Sequence, residues 1–159
     1  MIGLLQRVTE AAIEVDGAEV ARIGAGLLVL VAVERGDDEG TAERLLERLL
    51  NYRVFADAEG RMNLSVTDTA GALLLVPQFT LAADTAKGLR ASFSRAAPPA
   101  EGERLFGHLA RRAISRFPGT KTGRFGVHMR VSLVNDGPVT FWIRVPGGRE
   151  GEGGIGVSS

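Results

Sequence analysis

The chain has 159 residues, 45% hydrophobic and 24% charged, the balance of one soluble globular domain. Nineteen Lys plus Arg offset nineteen Asp plus Glu, so there is no global basic field, and a nucleic-acid partner must be met by a local patch. With no cysteine, a disulfide framework, a thiolate nucleophile and a cysteine-based zinc site are excluded. Arg7, Glu10 and Glu14 fall within the first fifteen residues, which speaks against a signal peptide or membrane span, and a cytoplasmic protein is expected.

Residues 1–15 read as a long strand ending in a hairpin turn at Asp16-Gly17; residues 18–24 return, and GLLVLVAV from Gly26 is a buried third strand. Asp37 or Asp38 then caps a helix over 37–52, with Ala42, Leu45, Leu46, Leu49 and Leu50 in one apolar stripe and Arg44, Glu47 and Arg48 on the wet face. Residues 53–66 predict a hairpin turning at 57–60, and residues 71–83 a buried strand interrupted at Pro77. The polar, proline-bearing stretch 84–99 predicts a surface loop. A second helix over 100–117 points Leu105, Leu109, Ala113 and Phe117 inward and Arg104, Arg111 and Arg112 outward. Residues 120–145 supply two more strands, and from residue 146 the glycine-rich composition predicts a flexible tail. The order β-β-β-α-β-β-α-β-β predicts an α+β fold of antiparallel sheets with two main amphipathic helices.

Obvious catalytic signatures are missing. His108 shares a helix face with Arg104, Arg111 and Arg112, and His128 shares a strand face with Arg130, so both read as structural, and no paired-histidine metal motif exists. There is no GxSxG elbow, and PGTKTGR lacks phosphate-loop spacing. Asp57 and Glu59 flank a turn and read as solvated. Two interrupted strands remain. In VPQFTLAAD, an extended chain puts Gln78 and Thr80 on one face, an amide beside a hydroxyl. In LVNDGPVTF, Gly137 and Pro138 break a strand-forming run, reading either as an edge bend or as a device that turns carbonyls out of the ladder.

From MIGLLQRVTEA, through GAGLLVLVAVE, NYRVFADAEGRMNLSV and PQFTLAADTAKGLRASFS, to TGRFGVHMRVSLVNDGPVTFWI, the chain resembles the D-aminoacyl-tRNA deacylases, also called D-tyrosyl-tRNA deacylases. The resemblance spans residues 1–145 and leaves 146–159 outside. It implies a barrel-like core and a homodimeric ester hydrolase that needs no cofactor or metal. Such an enzyme frees tRNA from a D-amino acid, and from glycine, including glycine mischarged on tRNA-Ala. By the match, Gln78, Phe79 and Thr80 line the site of the ester carbonyl. Gly137 and Pro138 match a Gly-cis-Pro element that one subunit inserts into its partner's pocket, rejecting L-aminoacyl-tRNA, and Arg7 matches an arginine that orients it. Phe125 and Met129 match the adenosine end, while Arg111, Arg112, Lys121 and Arg124 are candidates for the phosphates of the tRNA acceptor end.

Two positions depart from the family pattern: Pro77 replaces a usual serine and Ala91 a usual proline. A non-catalytic RNA-binding dimer of the same fold, or a related deacylase with altered chirality, therefore stays open. Two hydrolytic routes are compatible with the residues. In one, backbone N–H groups near Phe79 and Thr80 stabilise the oxyanion while the vicinal ribose hydroxyl positions water. In the other, the Thr80 hydroxyl is a covalent nucleophile, which requires a base. No base is evident beside Thr80, and the first route is expected.

Overall fold

The computed structural model describes residues 1–148. Strand β1 (Ile2–Val15) pairs antiparallel with β3 (Gly26–Ala32) through its first half and with β2 (Ala18–Ile23) through its second. Its other edge carries β8 (Arg130–Arg144) over nearly its whole length. Beyond β3 come β6 (Ala72–Pro77) and then β7 (Thr120–Thr122), both joined in parallel. The sheet is therefore mixed, not antiparallel throughout as the sequence suggests. The physical reason lies in the helices. Strands that run the same way need a crossover between them, and α1 (Glu39–Asn51) and α2 (Pro99–Arg116) lie in the two crossovers, β3 to β6 and β6 to β7. The sheet curls until β2 approaches β6 and β7, giving a nearly closed, barrel-like core.

Side chains alternate across the pleat, and β3 and β6 are buried on both faces, which is why they read as unbroken apolar runs. Leu27, Val29, Leu73 and Leu75 face the helices, meeting Leu45, Leu46 and Leu49 of α1 and Leu105 and Leu109 of α2. Leu28, Leu74 and Val76 face the inside of the curl with Val8, Ile13 and Ala21. At Gly26 the two strands come so close that a Cβ would lie 2.6 Å from the backbone nitrogen of Ala72, so only glycine fits.

Asp38, not Asp37, caps α1: its Oδ1 accepts the Thr41 N–H at 2.7 Å, and the Asp38 N–H returns a bond to Thr41 Oγ1. Asp37 instead meets the Met1 ammonium at 2.7 Å, beside Glu34 at 3.3 Å and the Val145 carbonyl oxygen at 2.7 Å. Burial raises the Asp37 carboxyl above its ordinary value, against the opposing pull of that ammonium. α2 starts at Pro99, where the missing N–H costs nothing. Its arginines are not merely wetted, because they face the acidic row of α1: Arg104 with Glu39 at 3.1 Å, Arg112 with Glu43 at 2.7 Å and Arg116 with Glu47 at 2.6 Å. His108 is half-buried within this row, 3.1 Å from Glu43.

Strands β4 (Phe55–Ala56) and β5 (Met62–Leu64) form the predicted hairpin. Asp57 Oδ1 accepts the N–H groups of Glu59 and Arg61 at 2.9 Å each, so this carboxylate holds the turn. At the far end of the described chain, the Pro146 carbonyl oxygen accepts from Arg44 and Gly147 lies against Gly36. Most of the expected tail, 149–159, lies outside the described residues.

Candidate active site

Strand β6 ends where its donors change. Pro77 has no N–H, the Gln78 N–H makes a last bond to the Val31 carbonyl oxygen at 2.7 Å, and residues Phe79–Ala82 then coil into a 3-10 turn. This corrects the expected extended face carrying Gln78 and Thr80. The two side chains do meet, but through the turn: the Gln78 amide donates to Thr80 Oγ1. Phe79 and Thr80 are the first residues of the turn, so their N–H groups have no carbonyl within it to bond. Phe79 is 58% exposed and its ring rests against Phe93 with centroids 5.1 Å apart. Past Thr80, Leu81 and Ala82 border an open cleft of about 640 Å³, whose other walls include Arg35, Arg95, Trp142 and Arg144.

The link from β7 to β8 runs beside this turn. The Gly123 N–H bonds the Leu75 carbonyl oxygen at 2.8 Å, and a Cβ at Gly123 would lie 2.9 Å from Met129 Sδ and 3.4 Å from Pro77 Cδ. Met129 is thus held next to the end of β6. Phe125 is half-buried against α2, 6.5 Å from the Phe106 ring and over Gly102. The loop after the turn is pinned at its base by the reciprocal bonds of Asp84 and Ser92, at 2.7 and 3.1 Å, next to the unusual Ala91.

The second group of predicted residues lies elsewhere. Opposite Arg7, β8 leaves the ladder: Gln6 pairs with Thr140 and Val8 with Asn135, so residues 136–139 bulge out against a single residue of β1. Asp136, Gly137 and Pro138 are exposed, and the Gly137-Pro138 peptide bond is cis. Arg7 supports the bulge from below. Its Nε donates to the Asp136 carbonyl oxygen at 2.8 Å and its Nη1 to the Val54 carbonyl oxygen at 2.6 Å. Asn135, which sequence reasoning gave no role, spans the base of the bulge. Its signal was present: asparagine beside a Gly-Pro pair commonly bonds the local main chain.

The structure brings Gln78, Phe79, Thr80 and Met129 together, and separately Arg7, Gly137 and Pro138, but not the two groups with each other. Arg7 stands level with Leu27 and Leu73, whereas Pro77 stands level with Val31 and Gly3. Four residues along a strand are about 13 Å, and three strand spacings of about 4.8 Å also intervene. Of the candidate phosphate contacts, Arg112 is engaged by Glu43, while Arg111, Lys121 and Arg124 are exposed. Among the described residues no cluster of His, Cys, Asp or Glu is arranged to hold a metal, and no helix is long and apolar enough to cross a membrane.

The family model described as D-Tyr-tRNA(Tyr) deacylase matches residues 4–144. A D-aminoacyl-tRNA deacylase of Thioalkalivibrio sulfidiphilus is 64% identical over 146 residues, covering 92% of this chain and 98% of that protein. Its counterpart in Nitrosococcus oceani is 61% identical, covering 92% and 94%. A solved structure named c-Myc DNA Unwinding Element Binding Protein superposes with a TM-score of 0.88 at 34% identity, covering 92% of this chain and 99% of that one. With a match over nearly all its described length and relatives this similar, the chain belongs to the D-Tyr-tRNA(Tyr) deacylase family.

Proposed function

We propose that the protein is a cytoplasmic homodimeric hydrolase of D-aminoacyl-tRNA, acting on the acceptor end, with residues 1–145 as the catalytic unit and 146–159 outside it. The observation that carries this reading is the separation of the two matched motifs. A turn at Gln78–Thr80, exposed at Phe79 and Thr80, and an exposed bulge at Gly137–Pro138 lie far apart in one copy, so a pocket made of both requires a second copy. The fifteen-residue β8 favours such pairing: it bonds only β1 among the described strands and exposes Val134 and Trp142, at 49% and 57%.

In the reaction, water adds to the ester carbonyl carbon. The N–H groups of Phe79 and Thr80, which have no acceptor within their turn, stabilise the oxyanion, and the vicinal ribose hydroxyl positions the water. The carbon–oxygen bond to the ribose then breaks; the ribose oxygen takes a proton and the D-amino acid leaves as its acid. Thr80 is a poor nucleophile here, because its oxygen accepts from the Gln78 amide, and an amide cannot take up a proton.

Gly137 and Pro138 of the second copy stand near the substrate Cα. Hydrogen fits there, and an L side chain is driven into main chain, so selection works by exclusion. Glycine, which has no side chain, is accepted, including on tRNA-Ala. Phe125 and Met129 take the adenosine end, and Arg111, Lys121 and Arg124 the phosphates, with salt-sensitive affinity.

The test is release of amino acid from D-tyrosyl-, L-tyrosyl- and glycyl-tRNA at low enzyme concentration. Release of the D and glycyl esters with the L ester intact is expected. Protection of all three esters would instead indicate a binding module, and preferential loss of the L ester a deacylase of altered chirality.

A further inference from the structure

The bulge 136–139 has a second support besides Arg7, and it comes from the residue that opens it. The Asn135 Oδ1 accepts the Val139 N–H at 2.7 Å, closing the base of the bulge. Its Nδ2 faces three oxygens: Thr140 Oγ1 at 3.0 Å, the Val139 carbonyl oxygen at 3.2 Å and Gln6 Oε1 at 3.3 Å. The orientation of the carboxamide is fixed by chemistry. An N–H can only donate, so the oxygen must face Val139, and the NH₂ must face the oxygens. Among side chains this short, only a carboxamide puts an acceptor and a donor on separate atoms, one for each side. Aspartate keeps the acceptor but turns an anion toward those oxygens, and alanine leaves the Val139 N–H without its partner. The backbone has little room to adjust, since even a Cβ at Gly137 would fall 2.7 Å from Val139 N and 2.6 Å from Val139 Cγ2.

We propose that Asn135 is a specificity-determining positioning residue: its carboxamide fixes how far and in which direction Gly137 and Pro138 project, and so sets the discrimination between D and L esters. This rests on the reading that those two residues exclude the L side chain. The Asn135 bonds described above go to Val139, Thr140 and Gln6, and none of them to Phe79 or Thr80. Loosening it therefore admits the L substrate more than it slows the D substrate.

The experiment compares wild type with Asn135→Asp and Asn135→Ala, reading kcat/KM for D- and L-tyrosyl-tRNA, thermal stability, and hydrogen exchange at the Val139 amide. The expected result is a D/L ratio at least about tenfold lower in both variants, mainly through faster L deacylation; tenfold corresponds to about 1.4 kcal/mol of lost exclusion. In Asn135→Asp the ratio recovers toward wild type as pH falls through the carboxylate range, because the protonated acid regains a donor. Val139 exchange accelerates in Asn135→Ala. A lower melting temperature with an unchanged D/L ratio, or D and L rates falling in equal proportion, overturns the proposal. So does unchanged Val139 exchange, which needs no substrate. Wild-type enzyme that does not distinguish D from L removes the underlying reading instead, and the specificity role with it.

Discussion

Arg7 grips Asp136 from the neighbouring strand, its Nε donating to the Asp136 carbonyl oxygen at 2.8 Å while its Nη1 holds the Val54 carbonyl oxygen at 2.6 Å. One rigid guanidinium thus ties the bulge of β8 to the segment entering β4. Lysine, a single point of charge, cannot span two carbonyls with that fork. Arg7→Lys should therefore lower the D/L ratio of deacylation by about tenfold or more, with D turnover affected less. The check is kcat/KM for both esters. An unchanged ratio would mean that Arg7 does not hold the element that selects chirality.

Thr80 separates the two hydrolytic routes. If its hydroxyl only receives the Gln78 amide bond, Thr80→Ala retains single-turnover deacylation within roughly tenfold of wild type. A loss of about 10³-fold or more would assign it a covalent role.

Much of this was legible in the sequence, and the failures have physical causes. The stripe Leu45, Leu46, Leu49 and Leu50 and the inward row Leu105, Leu109 and Ala113 all sit in the core, because a 3.6-residue period leaves few alternatives. Strand direction was not legible, since the parallel pairing of β3 with β6 depends on a crossover that local patterns do not encode. The turn at Phe79–Ala82 is not legible because a proline within an apolar run looks like an interruption of a strand, whereas Pro77 ends one. Gln78 and Thr80 are nevertheless neighbours, brought together by the turn and not by a shared strand face. Asn135 is only half legible: an asparagine near a Gly-Pro pair points to a local main-chain bond, but Val139 and Thr140 become its neighbours only once the bulge has formed.

The Met1 ammonium sits fully buried against Asp37 and near Glu34. Residues added before Met1 replace that charge with a neutral amide and leave Asp37 buried without its counterion. Breaking a buried pair from one side costs about 3–5 kcal/mol. At about 2–4 °C per kcal/mol for a chain of this size, a Gly-Ser extension should lower the melting temperature by roughly 10 °C. A shift within about 2 °C would show that the ammonium is dispensable.

Acid stability provides a separate test of the helix pair. Hydrogen bonding from Arg112, and then from His108, holds the Glu43 carboxyl below its ordinary value of 4.5. A carboxyl lowered in the folded state contributes stability that is present above its unfolded value and is lost as pH falls through the folded one. Glu43→Gln should therefore melt a few degrees below wild type at pH 7, consistent with about 0.3–1 kcal/mol for an exposed network, and the gap should be smaller at about pH 3, below the ordinary carboxylate range. Melting curves at the two pH values decide it, and an equal gap at both would mean that the charge contributes nothing.

Central to everything above is a pocket built from Gln78–Thr80 of one copy and Gly137–Pro138 of the other. Subunit mixing tests it most directly. Thr80→Trp, at an exposed position, fills the pocket from one copy; Gly137→Val fills it from the other, because its added side chain, and the main chain that its Cβ pushes off Val139, take the place of the substrate Cα. Each homodimer should be inactive toward D-tyrosyl-tRNA. After dissociation and reassembly in equal amounts, half the dimers are mixed, and each mixed dimer has one pocket with both parts intact. Recovery of about a quarter of wild-type activity is the expected result. No recovery, with mixed dimers verified by mass, would contradict a pocket shared between two copies.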